Sequence, residues 1–240
     1  MAQNHKLASL GAGMLAVLFV TPVCALDMNK SINIEDGAVV DSQSTVNGSI
    51  SVGEGATVNG SLETVNGTIR IEDNARVGDA ETVNGSVRIA SGVTAEDVGS
   101  VNGSIRLGEN VTIGGEVSVV NGKISLDRGT SVADDVSNVN GEIALSGAEI
   151  GGDLSTVNGD VSLNAGSTLR GDLIVEKPGG WGWKRNKRKP KVIIGPDSKV
   201  LGKIELEREV ELFISETAEV GGVTGEMSMD DAIRFSGDRP

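Results

Sequence analysis

The phrase Val-Asn-Gly returns along most of the chain at a nearly constant interval, and that interval limits the fold more than any other feature. It begins at Val46, Val65, Val83, Val101, Val120, Val139 and Val157, in steps of 19, 18, 18, 19, 19 and 18 residues. One more copy, at Val58, falls out of step, 12 residues after Val46 and 7 before Val65. A fixed period of this size is the mark of a solenoid, whose repeats bury their apolar faces only against one another.

Within each repeat runs a finer rhythm of six. From Val65 the apolar positions are Val65, Ile71, Val77, Val83 and Ile89; from Val101 they continue at Leu107, Ile113 and Val119, and from Val157 at Leu163, Leu169 and Val175. The rhythm already holds at Ile34, Val40, Val46 and Val52. A second apolar or small residue follows four places after many of these, as at Ile69, Ala75, Ile105, Val111, Val117, Ile124, Thr130 and Val136. Positions i, i+4 and i+6 share parity and point the same way from an extended chain. Each hexad therefore reads as a short strand with its apolar residues inward, closed by a corner rich in Gly, Asn and Asp. Helix is a poor alternative, because β-branched residues and glycine dominate and a six-residue period does not follow a 3.6-residue stripe.

Three hexads make one 18-residue turn of a triangular tube. The expected fold is all-β, a single-stranded parallel β-helix of about nine coils of 18–19 residues, and the periodicity is indifferent to handedness. The Val of the phrase is expected in the core and its Asn-Gly at a corner where glycine permits positive φ. The extra residue of the 19-residue steps is expected to bulge, for example at Val119 or Asn138. Stacking would bring the asparagines into one column, read here as a corner ladder rather than a ligand-binding array.

The amino terminus reads differently. Lys6, the apolar run Leu7 to Val20, Thr21-Pro22 and Val23-Cys24-Ala25 form the pattern of a secretory signal peptide ending at residue 25. Lipid attachment at Cys24 is the rival reading, although Pro22 and Val23 stand where a lipobox wants a small residue. Export implies the periplasm, the cell surface or the medium. Cleavage would remove the only Cys and the only His, and loss of Lys6 would move the formal charge from −13 to −14. So acidic a surface repels nucleic acid.

The rhythm breaks after Val175. Residues 176–191 form an insertion that carries both tryptophans, Trp181 and Trp183, and the basic residues Lys184, Arg185, Lys187, Arg188, Lys189 and Lys191. The rhythm resumes at Ile194, Val200, Leu206 and Leu212. The expected organisation is thus signal peptide 1–25, cap 26–33, coils 34–175, insertion 176–191, coils 192–225 and tail 226–240 with a short helix. Tryptophans beside basic residues suit an anionic envelope lipid or glycan, so Trp181, Trp183, Lys184, Arg185, Lys187, Arg188, Lys189 and Lys191 are the candidate binding residues.

Catalysis has little to work with. After cleavage the chain would have no His or Cys, and so no Ser-His or Cys-His nucleophile and no zinc site of the usual kind. No cofactor or metal is expected. The acidic pairs Glu72–Asp73, Glu96–Asp97 and Asp134–Asp135 are the remaining candidates for work on polysaccharide, but each falls at a hexad corner where carboxylates are simply solvated. A flat ice-binding array is excluded too. The residues after the phrase run Ser49, Thr68, Ser86, Ser104, Lys123, Glu142 and Asp160, and the next outward column includes Arg70, Arg88 and Arg106.

The run Val65-Asn66-Gly67-Thr68-Ile69-Arg70, Ile71-Glu72-Asp73-Asn74-Ala75-Arg76, Val77-Gly78-Asp79 resembles two families. One is the left-handed hexapeptide-repeat acyltransferases, whose catalytic His has no counterpart here, so their activity does not carry over. The closer likeness is to the bactofilins, polymer-forming proteins built on a triangular β-helix; exported adhesin-like β-solenoids look similar as well. The resemblance covers about Ile34 to Val220 and implies a non-enzymatic structural role, with a second copy of the chain as partner, end to end or side by side.

Overall fold

The chain forms a parallel β-solenoid of about ten coils. The structure is a computed structural model and describes residues 29–179 and 188–240. The expected signal peptide therefore lies outside the described residues. Each coil lays a strand on each of three faces, except that the coil of Arg76 has only a bridge on the second, and every strand pairs in parallel with its counterpart in a neighbouring coil. The first face is an eleven-stranded sheet that runs from Ile32–Ile34 to Ile233–Phe235, and the third is a ten-stranded sheet from Gln43–Thr45 to Val223–Gly225. The second face joins a two-stranded piece, Val39–Val40 with Thr57–Val58, to a seven-stranded sheet starting at Thr94–Ala95. Arg76 bridges the two by pairing with Thr57 and Thr94.

Inward side chains come in pairs two residues apart. In one coil they are Ile105 and Leu107, Val111 and Ile113, Val117 and Val119, all at most 1% exposed. A single coil has no second layer to cover these residues, so the core exists only as a stack along the axis. The six-residue rhythm placed most of them correctly. It misplaced the Val of the recurring phrase. Val46, Val65, Val83, Val101, Val120, Val139 and Val157 are half-buried, and the inward position is the residue before each.

That inward position holds Thr45, Thr64, Thr82, Ser100, Val119, Asn138 and Thr156 in successive coils. The hydroxyls of Thr64, Thr82 and Ser100 donate to the carbonyls of Gly48, Gly67 and Gly85 in the preceding coil, at 2.9, 3.1 and 2.9 Å. A buried hydroxyl needs such a partner, and the corner backbone supplies it. Nor is there a bulge at Val119: Val98 pairs with Val117 and Ser100 with Val119 without interruption. The extra residue of that coil lies at the corner before the third face. There Ala95 pairs with Ile113, a step of 18, while Val98 pairs with Val117, a step of 19.

The glycine of the phrase also has a different reason from the one expected. Of these glycines only Gly141 has positive φ, at 140°. What the others supply is closeness: a Cβ on Gly103 would stand 1.6 Å from the Gly85 carbonyl oxygen, and one on Gly85 1.7 Å from that of Gly67. The left-handed corner is the one between the first and second faces, at Gly55, Asn74, Gly92, Asn110 and Gly129.

The two ends differ from a simple cap and tail. The first strand, Ile32–Ile34, begins inside residues 26–33. At the other end Met229–Asp231 makes one 3₁₀ turn, and Ile233–Phe235 then pairs with Phe213–Ser215 on the first face. Met227, Met229 and Ala232 pack on the core, so the segment 226–235 covers the last coil.

Candidate functional site

The insertion sits at the corner between the third and first faces, the same corner that carries Val-Asn-Gly in earlier coils. Val161 pairs with Val192, a step of 31 residues, where the preceding step from Ile143 to Val161 is 18. Trp181, Trp183, Lys184, Arg185 and Lys187 lie outside the described residues. The other three basic residues are drawn onto the body of the rod. The Arg188 guanidinium pairs with the Asp160 carboxylate, whose Oδ1 also accepts the Lys191 backbone N–H at 2.9 Å. Lys189 Nζ lies 2.7 Å from Glu209 and holds that carboxyl below its ordinary range. Lys191 Nζ stands 4.8 Å above the Phe213 ring.

Beside the insertion ends an amide ladder. Asn47 donates through Nδ2 to Asn29 Oδ1 at 2.8 Å, and Asn66, Asn84, Asn102, Asn121, Asn140 and Asn158 each donate in turn to the asparagine one coil before, at 2.8–3.1 Å. The column is a corner ladder, as its recurrence at a turn implied. Where the insertion removes the next asparagine, Arg208 takes its place from a coil further on. Its Nη1 donates to Asn158 Oδ1 at 3.0 Å and to the Val157 carbonyl at 3.2 Å, and its Nη2 donates to the Arg188 carbonyl at 3.2 Å. One side chain thus closes the ladder and clasps the root of the insertion.

The acidic pairs are engaged in the stack. Asp73, Asp97 and Asp135 accept the backbone N–H of Ser91, Glu116 and Asp153 in the next coil, at 2.7, 2.8 and 2.7 Å. No described group of three or more His, Cys, Asp or Glu is arranged to hold a metal ion. Two of the pairs, Glu96–Asp97 and Asp134–Asp135, are also part of something longer. Asp79, Asp97, Glu116, Asp135, Asp153 and Asp172 occupy one column at the corner between the second and third faces, shown by N–H to carboxylate bonds at every step but that from Glu116 to Asp135, where the pairing of Val117 with Val136 carries the register. Their spacing of 18, 19, 19, 18 and 19 residues follows the same period as the phrase, so the sequence itself carries the signal for this column. Glu96 and Glu81 flank the column. Burial, then the charges of Glu63, Asp79, Asp97 and Glu116, push the Glu81 carboxyl up; burial, then Asp97, Asp135 and Asp134, do the same to Glu116.

On the first face the outward column opposes like charges. Arg70, Arg88 and Arg106 are exposed and pair in exact register. Arg106 reaches Asp127 at 3.0 Å, whereas Arg70 and Arg88 have no ion pair among the described residues. In comparisons with known proteins, the chain matches no family model, no curated protein and no solved structure.

Proposed function

We propose that the chain is a non-enzymatic, exported β-solenoid that serves as a rigid structural element of the cell envelope, in the manner of a bactofilin-like or adhesin-like rod. One observation supports this above the rest: the recurring polar side chains are spent on the neighbouring coil. The asparagines bond asparagines, the corner aspartates accept N–H groups, and the inward threonines donate to glycine carbonyls. Side chains committed in this way stiffen a stack and leave little free for chemistry.

The alternatives have less support. Arg188 and Lys189 are neutralised by Asp160 and Glu209, which weakens docking of the insertion on an anionic lipid or glycan. A polysaccharide-cleaving site would need the carboxylates that cap backbone N–H groups. At the last coil Met227, Met229 and Ala232 pack on the core, yet Glu219–Val220, Val223–Gly225 and Ile233–Phe235 each end their sheet with one edge unpaired, so this end can still template pairing.

Small-angle scattering and electron microscopy of the mature protein test the reading. About ten coils at about 4.8 Å each give a rod about 48 Å long. Cleavage of an acidic glycan that disappears in Asp135→Asn would overturn it, as would a compact, flexible particle in scattering.

A further inference from the structure

The arginine row and the acidic column sit on opposite sides of the rod. In a three-faced tube the corner between the second and third faces lies across from the first face. Both rows follow the coil stack, so both repeat at the strand spacing of about 4.8 Å. Arg70, Arg88 and Arg106 occupy three successive coils; Asp79, Asp97 and Glu116 occupy the same three, and Asp135, Asp153 and Asp172 the next.

Elsewhere on this chain, an exposed cation in a ladder is met by a carboxylate one coil along. Lys123 meets Glu142, Arg170 meets Glu149 and Lys199 meets Glu219. Arg88 instead has an arginine on either side, an arrangement that disfavours the isolated rod because like charges directly opposite repel. The acidic edge carries the mirror-image cost: Glu81 and Glu116 are held partly buried among other carboxylates. Arg106 already reaches Asp127, but Arg70 and Arg88 have no ion pair among the described residues, and the acidic edge offers carboxylates at the same pitch.

We propose that the arginine row of one copy docks on the acidic edge of a second copy, so that the rods assemble side by side. Arg70, Arg88 and Arg106 then face Asp97, Glu116, Asp135 and their neighbours, with Glu81 and Glu96 at the rim. Guanidinium suits this contact, since its planar fork meets a carboxylate through two N–H groups. Because donor and acceptor rows lie on opposite sides, the contact is heterologous: every added rod still presents one free row of each sign, and the array grows laterally without closing. The proposal builds on the structural reading above but is separable from it.

Sedimentation velocity on the mature protein at about 0.1 M salt, where charges are screened beyond about 10 Å, is the test. The wild type is expected to run as dimers and larger species in the tens of micromolar, and to fall to monomer at about 1 M salt, where screening reaches about 3 Å. The variant R70E/R88E/R106E stays monomeric. So does E81K/E96K/E116K, whose three side chains accept no hydrogen bond among the described residues and can change without unseating a coil. An equimolar mixture of the two variants restores association, because the reversed rows again match. A monomeric wild type, an arginine variant that associates as the wild type does, or a mixture that stays monomeric overturns the contact. Retention of the wild type on a sulfated-glycan column that is lost in R70E/R88E/R106E, with self-association unchanged, would assign the row to a polyanion instead. In each failing case an intact 48 Å rod in scattering, about ten coils at the strand spacing, leaves the structural reading standing.

Discussion

At the scale of single residues, the glycine of the recurring phrase carries the sharpest constraint, and it is steric. Gly103→Ala would drive a methyl group into the Gly85 carbonyl oxygen at 1.6 Å, a backbone contact that no rotamer relieves. A loss of at least about 3 kcal/mol is expected in urea unfolding. Gly55→Ala is the control: it has φ of 64° and open space around its Cβ, so it should lose only about 1–2 kcal/mol. Asn138 points the other way. It is fully buried in the column of inward threonines, its Nδ2 donates to the Gly122 carbonyl at 2.7 Å, and its Oδ1 has no partner. Asn138→Thr should keep the donor, remove the orphaned oxygen and gain about 1 kcal/mol, read as a raised urea midpoint. A cost instead would show that the buried amide is satisfied. These details explain how far the phrase could be read from sequence. Its period reports the closure of a coil, which any consistent register satisfies. Which of two adjacent residues turns inward depends on where the strand on the third face ends, and a slip of one reverses the face. Thr82 and Val83 are equally compatible with the spacing; the alternation of the strand from Ala80 turns Thr82 inward, and its hydroxyl then bonds the Gly67 carbonyl.

At the scale of elements, the corner ladder and the insertion are one system. All the ladder amides point the same way, each Nδ2 toward the preceding coil, so their dipoles add and the last oxygen, at Asn158, is the negative end. Arg208 meets that end with a positive charge and also holds Val157 and Arg188 by their carbonyls. Arg208→Ala should cost about 1–3 kcal/mol. A double-mutant cycle with Asn158→Ala should return a coupling of about 0.5–2 kcal/mol. A coupling near zero would show that the guanidinium acts only through the backbone. The position of the insertion was legible, because the six-residue rhythm stops at Val175 and resumes at Ile194, and an interruption with the same rhythm on both sides belongs to a corner. Its clasp was not. Arg208 and Asn158 are 50 residues apart, and nothing in the spacing marks an arginine as the substitute for a missing asparagine. The acidic column was the reverse case, fully periodic yet dispersed among Asp and Glu, so that it looked like isolated pairs.

At the scale of the whole molecule, the charge is not spread evenly, and the response to pH follows from where it collects. Burial and neighbouring carboxylates raise the Glu81 and Glu116 carboxyls above the ordinary value of 4.5. For a group whose folded value is raised, the folded state binds the proton more readily than the unfolded chain. Its contribution is fully present below 4.5 and is lost as pH rises through the folded value. The rod should therefore become more stable to heat as pH is lowered from neutral toward 4.5. Further down the sign reverses, because Asp231, lowered by its bonds to Ser228, loses its contribution as it takes up a proton. Glu81→Gln separates the acidic edge from everything else. It accepts no hydrogen bond among the described residues, so the change removes charge and little more. Its Tm should exceed that of the wild type at pH 7, and the gap should close as pH approaches 4.5 and the wild-type carboxyl becomes neutral as well. A gap independent of pH would mean that packing, not charge, sets the cost of the edge. The same measurement at about 0.5 M salt bears on the assembly, since screening that relieves the edge within one rod also weakens its attraction for arginines on the next. A rod that is more stable alone in salt, and more associated without it, is what a charge-strained edge built for a partner requires.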